Sequence, residues 1–534
     1  MCGIALLIGP SARQESAKFA AMLETVRPRG EVEETLLDDQ ALLGTHRLRI
    51  VDRDRAVQPW QSADGRWALS YNGEVFNFSA LRDQLIAEGR ELRSTSDTEV
   101  VLEGILAWGE QALLRFRGEF AFALVDRHTR RVFLARDPAG VKPLYWATSS
   151  GRLGIASEVK SLVGPLGPGV PVHEVPPGHC GWAEPGAAPQ LHAYIDLLRL
   201  GEGQPMVQDL DEATDLVRRT YREAVRMRVD TDLPVGVVLS GGLDSSLTLL
   251  HVREMHPDCV AFTVGTEGSE DLAYARRLTA DLGVPHEVVT LRPRDLGLAD
   301  VREAIRVSEA TEYGDVINSV VSLQLFRRVH ESGVKVVLTG DGSDELFGGY
   351  DMYSEISAAQ SRSLFLHKIR HLSRTELQRV DRTSMGNGVE ARVPYLDLDM
   401  LTMAMRIPAS MKIRDGYEKW ILRHTFADML PSYIRERHKN PMSHSSGLHE
   451  RIRLYQPLFA GIYRSYGYDA IGPMRRDFWR VLVESDHDLE RALVAAESAR
   501  DFTAAEHARD LAGAVKWNLI GGMRSAQRRL TRRG

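Results

Sequence analysis

The chain has 534 residues and a formal net charge of −6, with 43% hydrophobic and 26% charged residues, a composition typical of a soluble globular protein long enough for two domains. The acidic balance argues against a nucleic-acid-binding surface, and no apolar run reaches about 18 residues, which argues against a membrane span. Three scattered cysteines are too few for a disulfide framework or a zinc site, and the first residues lack the basic start of a signal peptide, so we expect a cytoplasmic protein.

The amino-terminal part predicts many short strands with few helices. Strand patterns fall at 3–9, 41–51, 67–76, 120–127, 131–136, 144–147 and 153–157. Helical patterns fall at about 13–26, 79–88 and 97–108. We therefore expect an α/β sandwich of antiparallel sheets. A Gly/Pro-rich stretch at 164–189 is interpreted as the loop that closes this part.

Cys2 is the most informative residue of this part. Once Met1 is removed, one residue carries both a thiol and a free α-amine. An amine with a pKa of about 8 can act as the base that activates its own nucleophile. A small buried cysteine without a role is the alternative interpretation.

Strands and helices alternate in the carboxy-terminal part. Strand patterns fall at 233–240, 259–265, 286–291 and 334–340, and helical patterns at 243–254 and 271–282. This alternation predicts a parallel sheet with crossover helices, whose ligands bind at the carboxyl ends of the strands. After residue 451 the patterns are helical, and the basic tail is interpreted as a solvated end.

The loop SGGLDSS follows the first of these strands and predicts a phosphate site. Its glycines let the backbone approach a ligand, and the following helix aims free N–H groups at an anion. The donors of the loop are Ser240, Gly241, Gly242, Ser245 and Ser246. Asp244 could hold the Mg²⁺ that a polyphosphate brings. A turn whose glycines serve packing alone is the alternative, and the chain has no Walker A loop.

A second glycine-rich loop, GDGSDELFGGY, follows the strand at 334–340. It carries three acids, Asp341, Asp344 and Glu345. Acids packed beside glycines repel one another unless a cation or an amine lies among them. We interpret the loop as a second part of the nucleotide site, with solvated turn carboxylates as the alternative.

Six motifs recur in order through the first part. They are MCGI, GTHRLRIVD (44–52), NGEVFN (72–77), SDTEVVL (96–102), ARDPAGVKPLYW (135–146) and ASEVKSL (156–162). This series resembles the class II, N-terminal-nucleophile glutamine amidotransferase domain. The resemblance implies an αββα sandwich that hydrolyses glutamine through a thioester on Cys2 and releases ammonia. One segment departs from the family pattern, because the family commonly has His-Arg-Gly-Pro-Asp where this chain has PRGEV at 28–32.

The same resemblance implies roles for individual residues. The Asn72 side chain and the Gly73 N–H would form the oxyanion hole. Arg47 would hold the α-carboxylate of glutamine, a task that suits a planar fork of donors. The implied glutamine-binding residues are Arg47, Leu48, Arg49, Ile50, Val51, Asn72, Gly73, Glu74 and Asp97. Glu74 and Asp97 would accept hydrogen bonds from the glutamine amine.

The motifs of the second part resemble the ATP-pyrophosphatase domain of the asparagine synthetase family. They are the two glycine-rich loops, MGNGVEARVPYLD (385–397) and RHKNPMSHSSG (437–447). The resemblance implies that Asp244 and Asp344 bind Mg²⁺. It implies ATP contacts from Leu239, Ser240, Gly241, Gly242, Asp244, Ser245, Ser246, Val264, Thr339 and Gly340. Lys439 would face the pyrophosphate, and Asp341 stands where familiar members have a glutamate that supports acyl-adenylate formation.

Together the two series resemble the glutamine-hydrolysing asparagine synthetase family. They imply a glutaminase domain at 2–195, a linker at 196–212, and at 213–534 a nucleotide-binding α/β domain with a helical extension. The implied ligands are glutamine, ATP, Mg²⁺ and a carboxylic acid acceptor, either aspartate or another acid. A homodimer is left open.

The acceptor is the open point. Family members carry an Arg-Ala-Ser-Thr-Pro-like segment before the last strand, where this chain has VINSV at 316–320, preceded by Glu309, Glu312 and Asp315. An acidic, arginine-free wall suits an amine-bearing or larger acid better than free aspartate. Two different functions also stay open, a β-lactam-synthetase-like ligase and a non-catalytic nucleotide-binding relative. The intact Cys2 and the acids of the second part argue against them.

Overall fold

The computed structural model describes residues 1–354, 356, 358–438, 448–485 and 487–497. The strands are β1 (Cys2–Ile8), β2 (Val32–Leu37), β3 (Ala41–Arg47), β4 (Trp60–Gln61), β5 (Trp67–Val75), β6 (Gly118–Asp126), β7 (Val132–Arg136), β8 (Tyr145–Ser149), β9 (Arg152–Ala156), β10 (His173–Glu174), β11 (His179–Ala183), β12 (Gln190–Ala193), β13 (Val235–Val238), β14 (Val260–Gly265), β15 (His286–Thr290), β16 (Val336–Leu338) and β17 (Glu390–Arg392).

The helices are α1 (Ser16–Thr25), α2 (Phe78–Ala87), α3 (Asp97–Trp108), α4 (Leu210–Val229), α5 (Leu243–Met255), α6 (Glu270–Leu282), α7 (Leu298–Ser308), α8 (Tyr313–Glu331), α9 (Ser343–Phe347), α10 (Ala358–His371), α11 (Glu376–Met385), α12 (Leu398–Arg406), α13 (Ala409–Lys412), α14 (Trp420–Thr425), α15 (Ser432–Arg435), α16 (Leu448–Arg453), α17 (Phe459–Ser465), α18 (Phe478–Glu484) and α19 (Leu489–Glu497). Within the described ranges, every helix is too short or too polar to cross a membrane.

The amino-terminal part consists of two antiparallel six-stranded sheets, in the orders β10-β8-β9-β1-β3-β2 and β12-β11-β7-β6-β5-β4. Alternate residues of β1 explain the layering, since successive side chains of a strand point to opposite faces. Ile4 and Leu6 belong to the core between the sheets, whereas Ala5 and Leu7 pack with α1. Helices α2 and α3 cover the outer face of the second sheet. The predicted αββα sandwich is confirmed.

The carboxy-terminal part is built around a parallel five-stranded sheet in the order β15-β14-β13-β16-β17. Val235 of β13 pairs with Val336 of β16. Strand β14 lies on one side of β13, and the later strand β16 lies on the other. This change in the direction of strand addition creates a crevice at the carboxyl ends of β13 and β16. The predicted parallel sheet with crossover helices is confirmed. The crevice lies where the two glycine-rich loops emerge.

Six observed strands, β2, β4, β10, β11, β12 and β17, were not predicted from the sequence. Five of them are edge strands, and β11 is the exception. Four of these edge strands have only two to four residues, and β2 alternates partly buried with exposed positions, so none of the five shows the apolar run of a central strand. Strands β10 to β12 also fall in or beside the Gly/Pro-rich stretch, which is therefore partly sheet and not only a closing loop.

Buried ion pairs join the two parts of the chain. The Arg29 guanidinium lies 2.8 Å from a Glu158 oxygen and 2.9 Å from an Asp381 oxygen. Arg392 of β17 bonds to Glu74 of β5. Because the desolvation of buried charges offsets much of their attraction, such pairs add little net stability, but removal of one partner leaves a buried charge uncompensated.

Candidate functional sites

Cys2 lies at the start of β1, directly opposite Arg47 of β3. Its backbone N–H donates to Asn72 Oδ1 at 3.0 Å, and Gln58 Nε2 lies 3.6 Å from its Sγ. The side chain is buried, and burial raises the pKa of the thiol. A thiol in this environment needs a neighbouring base before it can act as a nucleophile.

Asn72 and Gly73 lie beside this thiol on β5. Asn72 Nδ2 is buried and makes no hydrogen bond within the part of the chain that the structure describes. A Cβ on Gly73 would come within 2.2 Å of the Glu119 carbonyl oxygen, so glycine alone fits there. A buried donor without a partner is rare. Its position next to Cys2 suits the stabilisation of an oxyanion.

The predicted glutamine-binding residues gather around the same end of the sandwich. The Arg47 guanidinium bonds to Glu34 at 3.2 Å and to the Arg53 carbonyl at 3.2 Å. Asp97, the first residue of α3, accepts from the Tyr71 hydroxyl at 2.8 Å and from the Val75 N–H at 3.2 Å. These contacts hold both charged groups in place.

Glu74 and the segment 48–51 complete this set. Burial raises the pKa of Glu74 well above its ordinary value, although Arg392 opposes the shift. Leu48 and Ile50 pack against Met1. Arg49 lies near the surface, where its guanidinium is 3.4 Å from Glu31.

Met1 precedes Cys2 and occupies an apolar space between the two parts. Its side chain packs against Leu48, Val336 and Met385. Its ammonium lies 3.0 Å from Glu390 Oε2. Removal of Met1 would transfer the free amine to Cys2 and open this space, while Glu390 would keep its bond to Arg392.

A cavity of about 320 Å³ lies between the loops that follow β13 and β16. The predicted nucleotide residues that line it are Leu239, Ser240, Gly242, Asp244, Ser245, Val264, Thr339, Gly340, Asp341 and Asp344. Gly241 and Ser246 lie outside the lining. Gly241, with φ 71°, faces α6, where a Cβ would come within 2.7 Å of the Asp271 carbonyl.

Asp244 and Asp344 converge on the ammonium of Lys419. Lys419 bonds to Asp244 and lies 2.5 Å from Asp344 Oδ1, and Ser343 Oγ donates to Asp244 at 2.7 Å. Burial would lower the pKa of Lys419, but the two carboxylates outweigh burial and raise that pKa. Two carboxylates aimed at one cation position suit a hard divalent ion such as Mg²⁺.

Lys419 was missed by the sequence reasoning, which assigned the lysine role to Lys439, a residue outside the described ranges. Lys419 is buried and adopts a left-handed backbone with φ 54°. Such a conformation is uncommon for a residue with a side chain and indicates a constrained position. No pattern around Lys419 in the sequence pointed to it.

Arg437 is a second cation that the sequence reasoning left without a role. It belongs to the lining of the cavity, and its Nη1 donates to the Gly241 carbonyl at 2.7 Å. The same guanidinium bonds to Asp271. Arg437 therefore links the first glycine-rich loop to α6.

Arg379 of α11 lies at the far end of the cavity. Its Nη2 donates to Asp341 at 2.8 Å and to Glu376 at 2.7 Å, and its Nη1 lies 3.3 Å from Ser322 Oγ. Ser322 and Asn318 line the cavity from α8. The prediction of an arginine-free acceptor wall is therefore wrong, because α11 supplies the arginine that α8 lacks.

The three acids predicted for that wall lie elsewhere. Glu309 is buried and bonds to Arg382 at 3.1 Å, and Glu312 bonds to Arg374 at 3.0 Å. Asp315 is buried, and burial together with Glu376 raises its pKa well above the ordinary value. The cavity lining includes none of the three. Its acidic groups come instead from the two glycine-rich loops, α6, α11 and the loop before α14.

Glu345, the third acid of the second loop, is buried behind the cavity and bonds to the Tyr350 hydroxyl. Burial, followed by the nearby Glu376 and Asp344, raises its pKa to about 7. Its carboxyl group is therefore partly protonated near neutral pH, so it adds less negative charge beside the Lys419 site than an ionised carboxylate would.

Both parts of the chain match known protein families. Residues 1–175 match a glutamine amidotransferase domain model, and residues 216–364 and 357–509 match an asparagine synthase model. Glutamine-hydrolyzing asparagine synthetase 3 of Arabidopsis thaliana is 32% identical over 475 residues, covering 84% of this chain and 79% of that protein. Asparagine synthetase B of Escherichia coli K12 is 31% identical over 429 residues, covering 77% and 75%.

Two further likenesses differ in strength. A putative glutamine-hydrolyzing asparagine synthetase of Methanocaldococcus jannaschii is 30% identical over 522 residues, covering 84% of this chain and 94% of that protein. A solved structure of glutamine phosphoribosylpyrophosphate amidotransferase from B. subtilis is 16% identical with a TM-score of 0.31, covering 64% of this chain and 81% of that one. The second likeness is too distant to add to the first.

Proposed function

The chain belongs to the asparagine synthetase family of glutamine-hydrolysing amidotransferases, and from this premise we propose that it converts a carboxylic acid to its amide, with glutamine as nitrogen source and ATP as activator. The products are the amide, glutamate, AMP and pyrophosphate. The observation that carries the proposal is the convergence of Asp244 and Asp344 on one cation position at the crevice of the parallel sheet. The same chain carries Cys2 beside Asn72, whose buried Nδ2 makes no hydrogen bond among the described residues.

We assign glutamine hydrolysis to Cys2. After removal of Met1, the α-amine of Cys2 takes the thiol proton, and Sγ attacks the side-chain carbonyl carbon of glutamine. Asn72 Nδ2 and the Gly73 N–H stabilise the oxyanion that forms. The amine returns the proton to the departing ammonia, and water then hydrolyses the thioester to glutamate. Arg47 and Asp97 fix the α-carboxylate and the amine of the substrate.

We assign acid activation to the cavity of the second part. An oxygen of the acceptor carboxylate attacks the α-phosphorus of ATP, and pyrophosphate leaves. Lys419 and Arg437 neutralise negative charge near the phosphates, and the N–H groups at the start of α5 face the same anion. Ammonia then attacks the acyl carbon, and AMP leaves. Lys439 stays a predicted contributor to this step.

Asp244 and Asp344 would hold Mg²⁺, which would supply positive charge for the leaving pyrophosphate. In the structure the Lys419 ammonium lies between these carboxylates. We expect the ammonium to move toward the phosphates once a cation and a nucleotide bind. The donor set fits the ion, because the oxygens of both carboxylates reach a common point.

The space that Met1 occupies provides a route for ammonia between the sites. It is lined by Leu48, Ile50, Val336 and Met385. Ammonia is uncharged and crosses apolar surroundings without an ionic partner. Strand β16 borders this space at Val336 and leads to Thr339 and Gly340 of the cavity, and this continuity supports a route between the two proposed sites.

The acceptor end, the far end of the cavity at Arg379, Asp341 and Glu376, favours an amino acid or another amine-bearing acid. Arg379 can hold a carboxylate, and Asp341 and Glu376 can hold an ammonium. Because both of these acids already bond to Arg379, the end carries a net negative charge. We therefore propose aspartate or a related acid, and we keep an acid other than aspartate as the second candidate, because these contacts would hold the carboxylate and the ammonium of any amino-bearing acid.

Pyrophosphate release from MgATP and ammonia, measured across a panel of acids, tests the proposal. We expect release with aspartate or with another amino-bearing acid. Saturation by micromolar to low-millimolar aspartate would remove the second candidate. Ring closure of the acid without consumption of ammonia would indicate a β-lactam-synthetase-like ligase. Nucleotide binding without turnover by any acid would indicate a non-catalytic relative.

Three further assignments remain proposals. We propose domains at 2–195 and 213–534 joined by a linker at 196–212, a cytoplasmic location, and a homodimer as the form to test by size-exclusion chromatography with light scattering. The separate sheets support the domain division, because β1 to β12 form the two antiparallel sheets and β13 to β17 form the parallel sheet.

A further inference from the structure

Three side chains that could bind a metal ion lie close together on the outer side of the glutaminase part, away from both proposed sites. They are Cys180 of β11, His192 of β12 and Glu110 in the turn after α3. Their sulfur, ring nitrogen and carboxylate oxygen lie within 4.8 Å of one another. Three scattered cysteines led us to expect no zinc site, but the fold adds a histidine and a glutamate to one of them.

The backbone holds two of these residues in register. Cys180 and His192 are direct partners in the antiparallel β11–β12 pair, so their side chains lie on the same face. His192 Nε2 lies 3.6 Å from Cys180 Sγ and 3.0 Å from Glu110 Oε2. One ring nitrogen therefore faces a thiol and a carboxylate at once.

We propose that Cys180, His192 and Glu110 form a site for one Zn²⁺ ion. A hydrogen bond from His192 to Glu110 explains their contact but gives no reason for the thiol, because a single nitrogen offers either a proton or a lone pair. A cation uses the lone pair of the nitrogen, the thiolate and the carboxylate together. Zinc bonds of about 2.3 Å to sulfur and about 2.0 Å to nitrogen place these two atoms about 3.6 Å apart in a tetrahedron, which matches the observed separation.

The donor set and its exposure favour zinc over the other common ions. A thiolate and an imidazole suit Zn²⁺, whereas Mg²⁺ and Ca²⁺ prefer oxygen ligands. Cys180 is fully buried, while the His192 and Glu110 side chains are 54% and 41% exposed. Solvent therefore reaches the site from one side, and water fills the fourth position.

The site would act as a structural clamp. Glu110 belongs to the turn that continues α3, and α3 begins at Asp97, a proposed glutamine contact. Strand β12 is the edge of the second sheet. A bound ion would tie this edge to the end of α3. We expect it to raise the melting temperature without taking part in glutamine hydrolysis.

Titration of the metal-free full-length protein with Co²⁺ and with Zn²⁺ tests the proposal. We expect the thiolate-to-cobalt charge-transfer band to saturate at one Co²⁺ per chain, Zn²⁺ to abolish the band by displacing that Co²⁺, and the melting temperature to rise with Zn²⁺. Cys180→Ser should abolish the band, and His192→Ala should weaken binding at least tenfold. Cys259→Ala, which removes another buried thiol, should keep the wild-type band and affinity.

Because Cys180 is buried, its variant could fail to fold. His192→Ala and Glu110→Gln change exposed side chains and keep the test decisive. A wild-type protein without the charge-transfer band would overturn the proposal. Retention of wild-type affinity by His192→Ala would also overturn it. These readouts are independent of amide synthesis, so the zinc site and the proposed function can fail separately.

Discussion

Asn72 holds a key position at the scale of single residues. Its Oδ1 accepts from the backbone N–H of Cys2, and this contact fixes an amide whose Nδ2 is buried without a hydrogen bond among the described residues. A donor fixed in this way before substrate binds needs no rearrangement when the oxyanion forms. The oxyanion would supply the hydrogen-bond acceptor that Asn72 Nδ2 lacks among the described residues.

Asn72→Ala should therefore lower kcat for glutamine hydrolysis about 10²- to 10³-fold, the usual effect of removing one oxyanion donor. Glutamate release measures it. Pyrophosphate release with ammonia should stay near wild type. Asn77→Ala removes an amide that bonds to Arg115 and Arg117 and serves as the matched control. Equal loss in both variants would contradict the assignment.

Lys419 is the residue of the second site whose removal we expect to have the largest effect on ATP use. Lys419→Met removes the ammonium that we propose moves to the phosphates when Mg²⁺ and ATP bind, so we expect kcat/KM for ATP to fall at least 100-fold while glutamine hydrolysis persists. Lys335→Met, at a half-exposed lysine that pairs with Glu31, should change little. A Lys419→Met protein with wild-type pyrophosphate release would rule out the proposed role.

The sequence predicted different elements with different success, for physical reasons. Central strands such as β1, β5 and β13 are buried on both faces, so their apolar runs are visible in the sequence. Edge strands such as β12 and β17 are shaped by their neighbours. Motifs located Cys2 and both glycine-rich loops. Lys419 and Arg379 reach the cavity only through the packing of the loop before α14 and of α11, which no local pattern records.

The short helix α13 contains a lysine whose pKa is shifted by burial. Lys412 is buried near the ring of Phe365. Burial, aided by Arg362, lowers the pKa of Lys412 to about 7. The unfolded chain therefore binds more protons than the folded chain from about pH 7 up to the ordinary lysine pKa. Across this window the contribution of Lys412 to stability improves as pH rises.

Lys412→Met should remove this pH dependence. We expect the melting temperature to rise by several degrees at pH 7 and by clearly less at pH 10, measured by calorimetry. Lys18→Met, on the exposed face of α1, should leave the profile unchanged. A larger gain at pH 10 than at pH 7 would contradict the assigned direction of the pKa shift.

The ion pairs between the parts act at the scale of the whole molecule. Arg29 bonds to the Cys2 carbonyl at 3.0 Å and also to Asp381 of α11. The same helix carries Arg379 at the acceptor end of the cavity. A chain of contacts thus runs from the Cys2 carbonyl to the helix that carries Arg379. Arg29 belongs to the segment where this chain departs from the family motif.

Asp381→Asn should loosen this connection while Arg29 keeps Glu158. We expect glutamate to form in excess of pyrophosphate, because ammonia is then produced without being used. The ratio of the two products measures the effect. Asp399→Asn removes a largely exposed partner of Arg117 and should leave the ratio near one. Matching ratios in wild type and Asp381→Asn would show that this pair does not couple the reactions.

The central claim is that nitrogen released at Cys2 is joined to an acid activated in the crevice between β13 and β16. Incubation with amide-¹⁵N glutamine, MgATP and the preferred acid, followed by mass spectrometry, tests it most directly. We predict a ¹⁵N-labelled amide formed with one glutamate, one AMP and one pyrophosphate. A protein that turns over no ATP to AMP with any acid, even with ammonia supplied, would contradict it.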